Sequence, residues 1–425
     1  MWQRCYSPGR RLRSGCGQEG SRSRINVALA SHTYMVRLAF VAEGDAETKD
    51  CWSGCAQGFV TALRRGGAHV DVVNAELRGW RRWMAAGASW HPDRRRWRQR
   101  FTLGERAGAL KTAVTASALR NRSAPYDAII QAGATFGIPR AVSGGAVRVL
   151  YADSNVRYAA RGRPFSGVST LDADSIERIA ARERRIYDAA DRIWTWSDAL
   201  RDSFVDDFAQ PHEKLVTIYA GANLQTAHAP VVHGPAAGAP SILFVGKDHR
   251  RKGSALLLEA FARVRREMAD AELHIVGAVP EGADAPGVVA HGRIDTSTAE
   301  GSERLRALYE RATVFCLPSR YEPFGVVFVE AMLSSLPCIG TDRWAMPEII
   351  EDGVTGWVAP DGDVGALAAI LLQSLRDRER SAAMGRRGRE RALRLFTWDR
   401  VAERALADLA QLRATASSPQ HEATA

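Results

Sequence analysis

A chain of 425 residues exceeds one ordinary hydrophobic core and fits two domains, each able to bury its own interior. Apolar residues at 46% and charged residues at 25% exclude a mainly disordered or fibrous chain, and no run of about 18 uncharged apolar residues occurs that could form a conventional transmembrane helix. The formal net charge of +10 is local: residues 1–34 hold six arginines against one acid and residues 64–111 twelve Lys/Arg against four acids, so no nucleic-acid partner is expected.

Residues 1–34 are rich in Arg, Ser and Gly with no sustained apolar period, and are expected to be a disordered basic extension, translation starting at Met35. Six sparse cysteines, with no C-x-x-C spacing beside histidines, argue against a disulfide framework and a structural zinc site, and suit a reducing cytoplasm.

From Met35 the pattern alternates. Val36 to Val41 reads as a buried strand, Gly54 to Arg65 as a helix and His69 to Val73 as a second strand, an order that implies a parallel, right-handed crossover. Ligands of such sheets sit beyond the carboxyl ends of the strands, so the loop Glu43 to Gly54, with Trp52-Ser53-Gly54, is expected to face a crevice, Gly54 allowing close backbone approach.

Gly79 to Arg100 interleaves Trp80, Trp83, Trp90 and Trp97 with arginines, a composition that suits an anionic membrane interface, an acidic acceptor or stacked single strands; the bland reading is a solvated insertion whose tryptophans pack inward. Tyr126 to Gln131 and Val147 to Tyr151 read as further strands. Asp153, just past the second, is placed to meet a substrate hydroxyl or to cap a helix. A charged helix over Asp172 to Ala190, then strands at Ile193 to Ser197 and Leu215 to Tyr219, complete a first domain of residues 35–224.

Residues 225–240, with His228 and His233, are Pro/Ala/Gly-rich and read as a linker. The same grammar restarts over 241–395: strand Ile242 to Val245, loop Gly246 to Gly253, a helix Ser254 to Met268 with Ser254 as N-cap, and strands Glu272 to Val276, Val288 to His291, Thr313 to Leu317 and Pro337 to Thr341. An amphipathic helix follows over 396–413, then a disordered tail from 414.

Two segments carry the chemistry. Gly246 to Gly253 sets Lys247 and Lys252 at the ends of a strand-to-helix loop, a site for a diphosphate or a solvated basic turn, without Walker spacing. Pro318 to Gly340 sets Glu322 in a loop and Glu330 eight positions on. Val326 to Met332 is β-branched enough to read as strand or helix. If it is a helix, the Phe324, Gly325 and Val326 N–H groups face the cleft, and the two acids hold different parts of one ligand or pair with cations.

EPFGVVFVE followed by AMLSSLPCIG resembles the signature of family 4 of the retaining glycosyltransferases, which have the GT-B fold; VGKDHRRKG, VVAHGRI, EIIEDGVTGWVAPDGD and LRLFTWDRVAERAL extend the likeness over the second half, and WSGC and YAGAN carry it more thinly into the first. The resemblance implies an α/β protein of two Rossmann-like doubly wound domains facing a cleft, with a C-terminal helix crossing back to the first domain. It implies a nucleotide-diphosphate sugar and a hydroxyl acceptor (cell-envelope lipid, polysaccharide or small glycoside), with no metal or other cofactor.

On the matching positions, the resemblance assigns Glu322 to the donor sugar, Glu330 to the ribose and Lys252 to the diphosphate, with Lys247 where arginine is usual. The Phe324-Gly325-Val326 backbone would meet sugar or phosphate, the Gly292-Arg293-Ile294 backbone the base, and Ser53-Gly54 the acceptor side. Catalytic roles fall to Glu322, Lys252 and Asp153, the last standing where the family often has histidine. The usual Gly-Gly before Glu348 is replaced by Trp344-Ala345-Met346-Pro347, a bulkier wall. A GT-B epimerase and a non-catalytic sugar-nucleotide or lipid-binding protein are the alternatives. The expected location is cytoplasmic, with peripheral membrane contact through the tryptophan segment.

Overall fold

The computed structural model describes residues 35–122, 124–223 and 238–417; the expected extension over 1–34 and most of the expected linker, with His228 and His233, lie outside the described residues. Apolar runs become two six-stranded parallel sheets. The first contains β1 (Arg37–Ala42), β2 (His69–Asn74), β3 (Ala128–Ala132), β4 (Val147–Ala152), β5 (Arg192–Thr195) and β6 (Leu215–Thr217), in the order β2-β1-β3-β4-β5-β6. The second contains β7 (Ser241–Gly246), β8 (Glu272–Gly277), β9 (Val288–Gly292), β10 (Val314–Cys316), β11 (Cys338–Thr341) and β12 (Gly356–Ala359), in the order β12-β11-β10-β7-β8-β9. Strand β1 is buried from Leu38 on, as parallel strands covered on both faces must be.

Strand order in each sheet reverses beside its first strand, so loops after β1 and β3, and after β7 and β10, open onto a crevice at the carboxyl ends. Ser254 is not an N-cap. Gly253 takes that position at φ +77°, where a Cβ would stand 1.9 Å from the Pro318 carbonyl oxygen, and Ser254 is the first helical residue. The charged helix expected over Asp172 to Ala190 runs Ala173–Ala189, Asp172 being its N-cap, with the carboxylate accepting the Ser175 N–H at 2.7 Å.

The C-terminal helix runs Trp398–Ser417, beginning after Phe396 and continuing past residue 414, where a tail was expected. It packs on the first lobe. Trp398 lies where a Cβ on Gly58 would come within 2.3 Å of its indole and one on Gly221 within 2.5 Å. Asp408 accepts the Trp194 indole N–H at 2.7 Å and pairs with Arg192 at 3.0 Å. A bulky ring against two glycines and a buried polar tie hold the helix to the first sheet.

Candidate active site

The loop after β7 carries Lys252 inward. Its ammonium is buried and bonded to Glu322 Oε2, which also accepts from Ser319 Oγ at 3.2 Å and has the Arg251 guanidinium at 3.8 Å. Burial pushes the Lys252 pKa down against the raising effect of Glu322. The two groups expected on different parts of a donor therefore meet each other directly, while Lys247 stands exposed at the start of the same loop.

Val326–Leu333 is a helix, not a strand, entered through Gly325 at φ +109°. A Cβ there would press on Phe328 at 2.8 Å and on Glu322 at 3.2 Å, so glycine lets Glu322 sit against the helix start. The Phe324 side chain is core: its ring lies 6.0 Å from Trp196, 6.4 Å from Tyr219 and 6.0 Å from Phe396, bridging the lobes and leaving only its backbone to a ligand. Glu330, one turn along, accepts the Asn223 backbone N–H, and burial pushes its pKa up to about 7 against Lys252 and Lys247.

Asn223 was not expected in the site, yet it joins the lobes. Its Nδ2 donates to the Ser53 carbonyl at 2.8 Å, and its Oδ1 accepts the Trp398 indole N–H at 3.3 Å. Ser53-Gly54 therefore stands beside Glu330 as well as beside the first-lobe crevice. Trp52, Ser53 and Gly54 have φ of +52°, +56° and +89°, a run that costs about 1–3 kcal/mol for each of the two non-glycine residues. Gly292, at φ +67°, ends the edge strand β9, and Arg293 and Ile294 follow on the same rim of the sheet.

Asp153 follows β4. Its carboxylate takes its own and the Ser154 backbone N–H, and burial pushes its pKa up to about 6. It caps no helix; Asn155 does, accepting the Tyr158 N–H at 2.7 Å. Asp153 borders a cavity of about 790 Å³ whose walls include Trp52, Thr135, Arg98 and, from the second lobe, Tyr321. Tyr321, also missed, reaches Ser154 Oγ at 3.2 Å; an aromatic next to Glu322 in a proline-bounded loop was the available signal.

Trp344 forms the bulky wall, its ring 5.1 Å from Tyr158 and 4.9 Å from Tyr321 and its indole N–H on the Arg320 carbonyl at 3.0 Å. Nearby Glu348 accepts the Asp198 and Ala199 N–H groups at 2.7 and 2.6 Å, at the start of the first-lobe helix Asp198–Phe208. The tryptophan segment folds as helices Gly79–Ala88 and Arg94–Leu103. Trp97 packs inward with its indole on the Ala86 carbonyl at 2.9 Å, whereas Trp80, Trp83 and Trp90 are 62%, 78% and 67% exposed, contrary to an insertion with all its tryptophans inward.

Residues 239–377 match the family described as Glycosyl transferases group 1. The MMP alpha-(1->4)-mannosyltransferase of Mycolicibacterium hassiacum is 31% identical, covering 53% of this chain and 55% of the relative. The phosphatidyl-myo-inositol mannosyltransferase of Mycobacterium leprae is 34% identical, covering 44% and 51%. This chain thus spans about half the length of these curated relatives. The sucrose-phosphate synthase of Thermosynechococcus elongatus superposes with a TM-score of 0.65 at 21% identity over 89% of this chain and 100% of that one. Residues 239–377 thus carry a group 1 glycosyl transferase domain, and the chain has the GT-B fold.

Proposed function

We propose that the protein moves a hexose from a nucleoside-diphosphate sugar to a hydroxyl acceptor with retention of configuration. The buried Lys252–Glu322 pair at the mouth of the helix Val326–Leu333 supports this reading most, since it sets a cation, a carboxylate and free helix N–H groups at one point of the crevice. The mannosyltransferases among the relatives support a hexosyl donor.

In this reaction the bond from the anomeric carbon to the diphosphate oxygen breaks, the acceptor oxygen bonds to that carbon on the same face, and the acceptor proton passes to the leaving phosphate. Lys252, Lys247 and the helix amides stabilise the growing negative charge, and no metal is used. Glu322 holds sugar hydroxyls, Glu330 the ribose, the Gly292-Arg293-Ile294 backbone the base, and Asp153 a substrate hydroxyl. The protein works at the cytoplasmic face of an anionic membrane, where Trp80, Trp83 and Trp90 enter the interface; among the described residues no helix is long and apolar enough to cross one.

Thermal melting against UDP-, GDP- and ADP-sugars is the test. One class should raise the midpoint, by the equivalent of about 2.7 kcal/mol at a hundredfold excess over Kd. Transfer with that donor should persist in EDTA and vanish in Lys252→Ala. A midpoint moved by none of them, or wild-type turnover in Lys252→Ala, would sink the proposal.

A further inference from the structure

The arginines of helix Arg94–Leu103 set a second charged site apart from the donor loop. Arg94, Arg95 and Arg98 line the same cavity as Asp153, occupying neighbouring positions of one helical face. The helix is fixed there by Gln99, whose carbonyl accepts the Thr170 hydroxyl at 2.6 Å, and by Asp93, which accepts the Arg95 N–H at 2.7 Å.

No carboxylate among the described residues pairs with these three side chains. Other arginines of the first lobe are matched, as Arg157 is with Glu177 and Arg161 with Asp207, both at 2.6 Å, while Arg81, Arg106 and Arg120, like this trio, have no carboxylate partner among the described residues but do not border the cavity. The acids bordering the cavity are engaged elsewhere. Glu43 pairs with Lys111 at 2.7 Å, Glu183 accepts the Val156 N–H at 2.9 Å and the Tyr187 hydroxyl at 2.8 Å, and Asp153 takes backbone N–H groups. Like charges this close on one helix repel and weaken it, so their grouping at a cavity mouth calls for an anion.

We infer that the acceptor carries a phosphate, bound by Arg94, Arg95 and Arg98 while its hydroxyl enters the cavity towards Asp153. This rests on the transferase reading for the word acceptor, but the anion site itself does not. Guanidinium groups suit the task because their fixed N–H forks match phosphate oxygens in pairs. The phosphate belongs to a soluble phosphate ester or to a lipid headgroup, and the two sources are separable.

The experiment measures binding of sn-glycerol 3-phosphate by calorimetry, and of phosphatidylcholine vesicles with and without 30% phosphatidylglycerol by sedimentation. It compares wild type, Arg94→Gln/Arg95→Gln/Arg98→Gln, and an equal-charge control, Arg311→Gln/Arg386→Gln/Arg394→Gln, on exposed second-lobe positions. The cavity variant should lose at least tenfold in affinity for one probe, with the control unchanged. Loss for glycerol 3-phosphate supports a soluble ester, and loss for anionic vesicles alone supports a lipid phosphate. Equal binding by cavity variant and wild type, or equal loss in the control, overturns the inference. Nucleotide-sugar melting shifts, followed in the same proteins, should be identical in all three. Their absence throughout would reject the transferase reading and leave the anion site standing.

Discussion

At the residue scale the centre is an ion pair. Lys252 and Glu322 are both buried, so truncating one strands the other's charge in a poor solvent. Lys252→Ala should therefore lose about 3 kcal/mol of stability in urea titrations as well as transfer, and adding Glu322→Ala should restore part of the stability but none of the transfer. A double variant no more stable than the single would remove the pair from this role. Asp153 titrates in the opposite sense to a salt-bridged acid. Its pKa rises from an ordinary 3.8 to about 6, so the folded state holds the proton more tightly, and ionisation costs stability that sets in as pH climbs across that window. Asp153→Asn should gain on wild type by up to about 2 kcal/mol between pH 4 and pH 7; a constant difference across that range would show the carboxyl to be solvated. Lys252 and Glu322 were legible as site candidates because each sits in a polar loop of fixed spacing after a strand. Asn223 was not, because its meaning is a bond to Ser53, 170 positions away, and no local pattern encodes that distance.

At the element scale, most strands were legible from apolar runs and turns, and the exceptions have physical causes. β12 is only four residues long, and it begins at Gly356, where a Cβ would fall 2.0 Å from the Cys338 carbonyl, so its pairing depends on contact rather than propensity. The run Val326–Leu333 is apolar nearly all round. Burial of most of it, not periodicity, decides for helix, with Gly325 fixing the start. The tryptophan helices depart from the inward-packing reading for a related reason: periodicity cannot say which face has a partner. Trp80, Trp83 and Trp90 contribute little to folding because they are exposed. Their triple alanine variant should melt within about 1 °C of wild type and sediment several-fold less with anionic vesicles. Unchanged sedimentation would leave these rings without a membrane role.

At the scale of the whole molecule, the two sheets are joined through a few contacts at the crevice. Trp398 is seated on Gly58 and Gly221 and bonded to Asn223, which in turn reaches Ser53 and donates its backbone N–H to Glu330. Glu348 closes the other side on the Asp198–Phe208 helix. A change in how the lobes meet must therefore move Ser53-Gly54 relative to Glu330, which links lobe geometry to the donor wall through one asparagine. Trp398→Ala should cost about 3–5 kcal/mol by emptying its seat. It should also split a single calorimetric transition into two, because the helix Trp398–Ser417 would no longer bind the first lobe firmly. A nucleotide sugar should then raise only one of the two transitions, that of the lobe carrying Lys252 and Glu330. If the variant still melted in one step, with the donor raising all of it, coupling would run through Glu348 and the Phe324 bridge instead, and Asn223 would be a bystander.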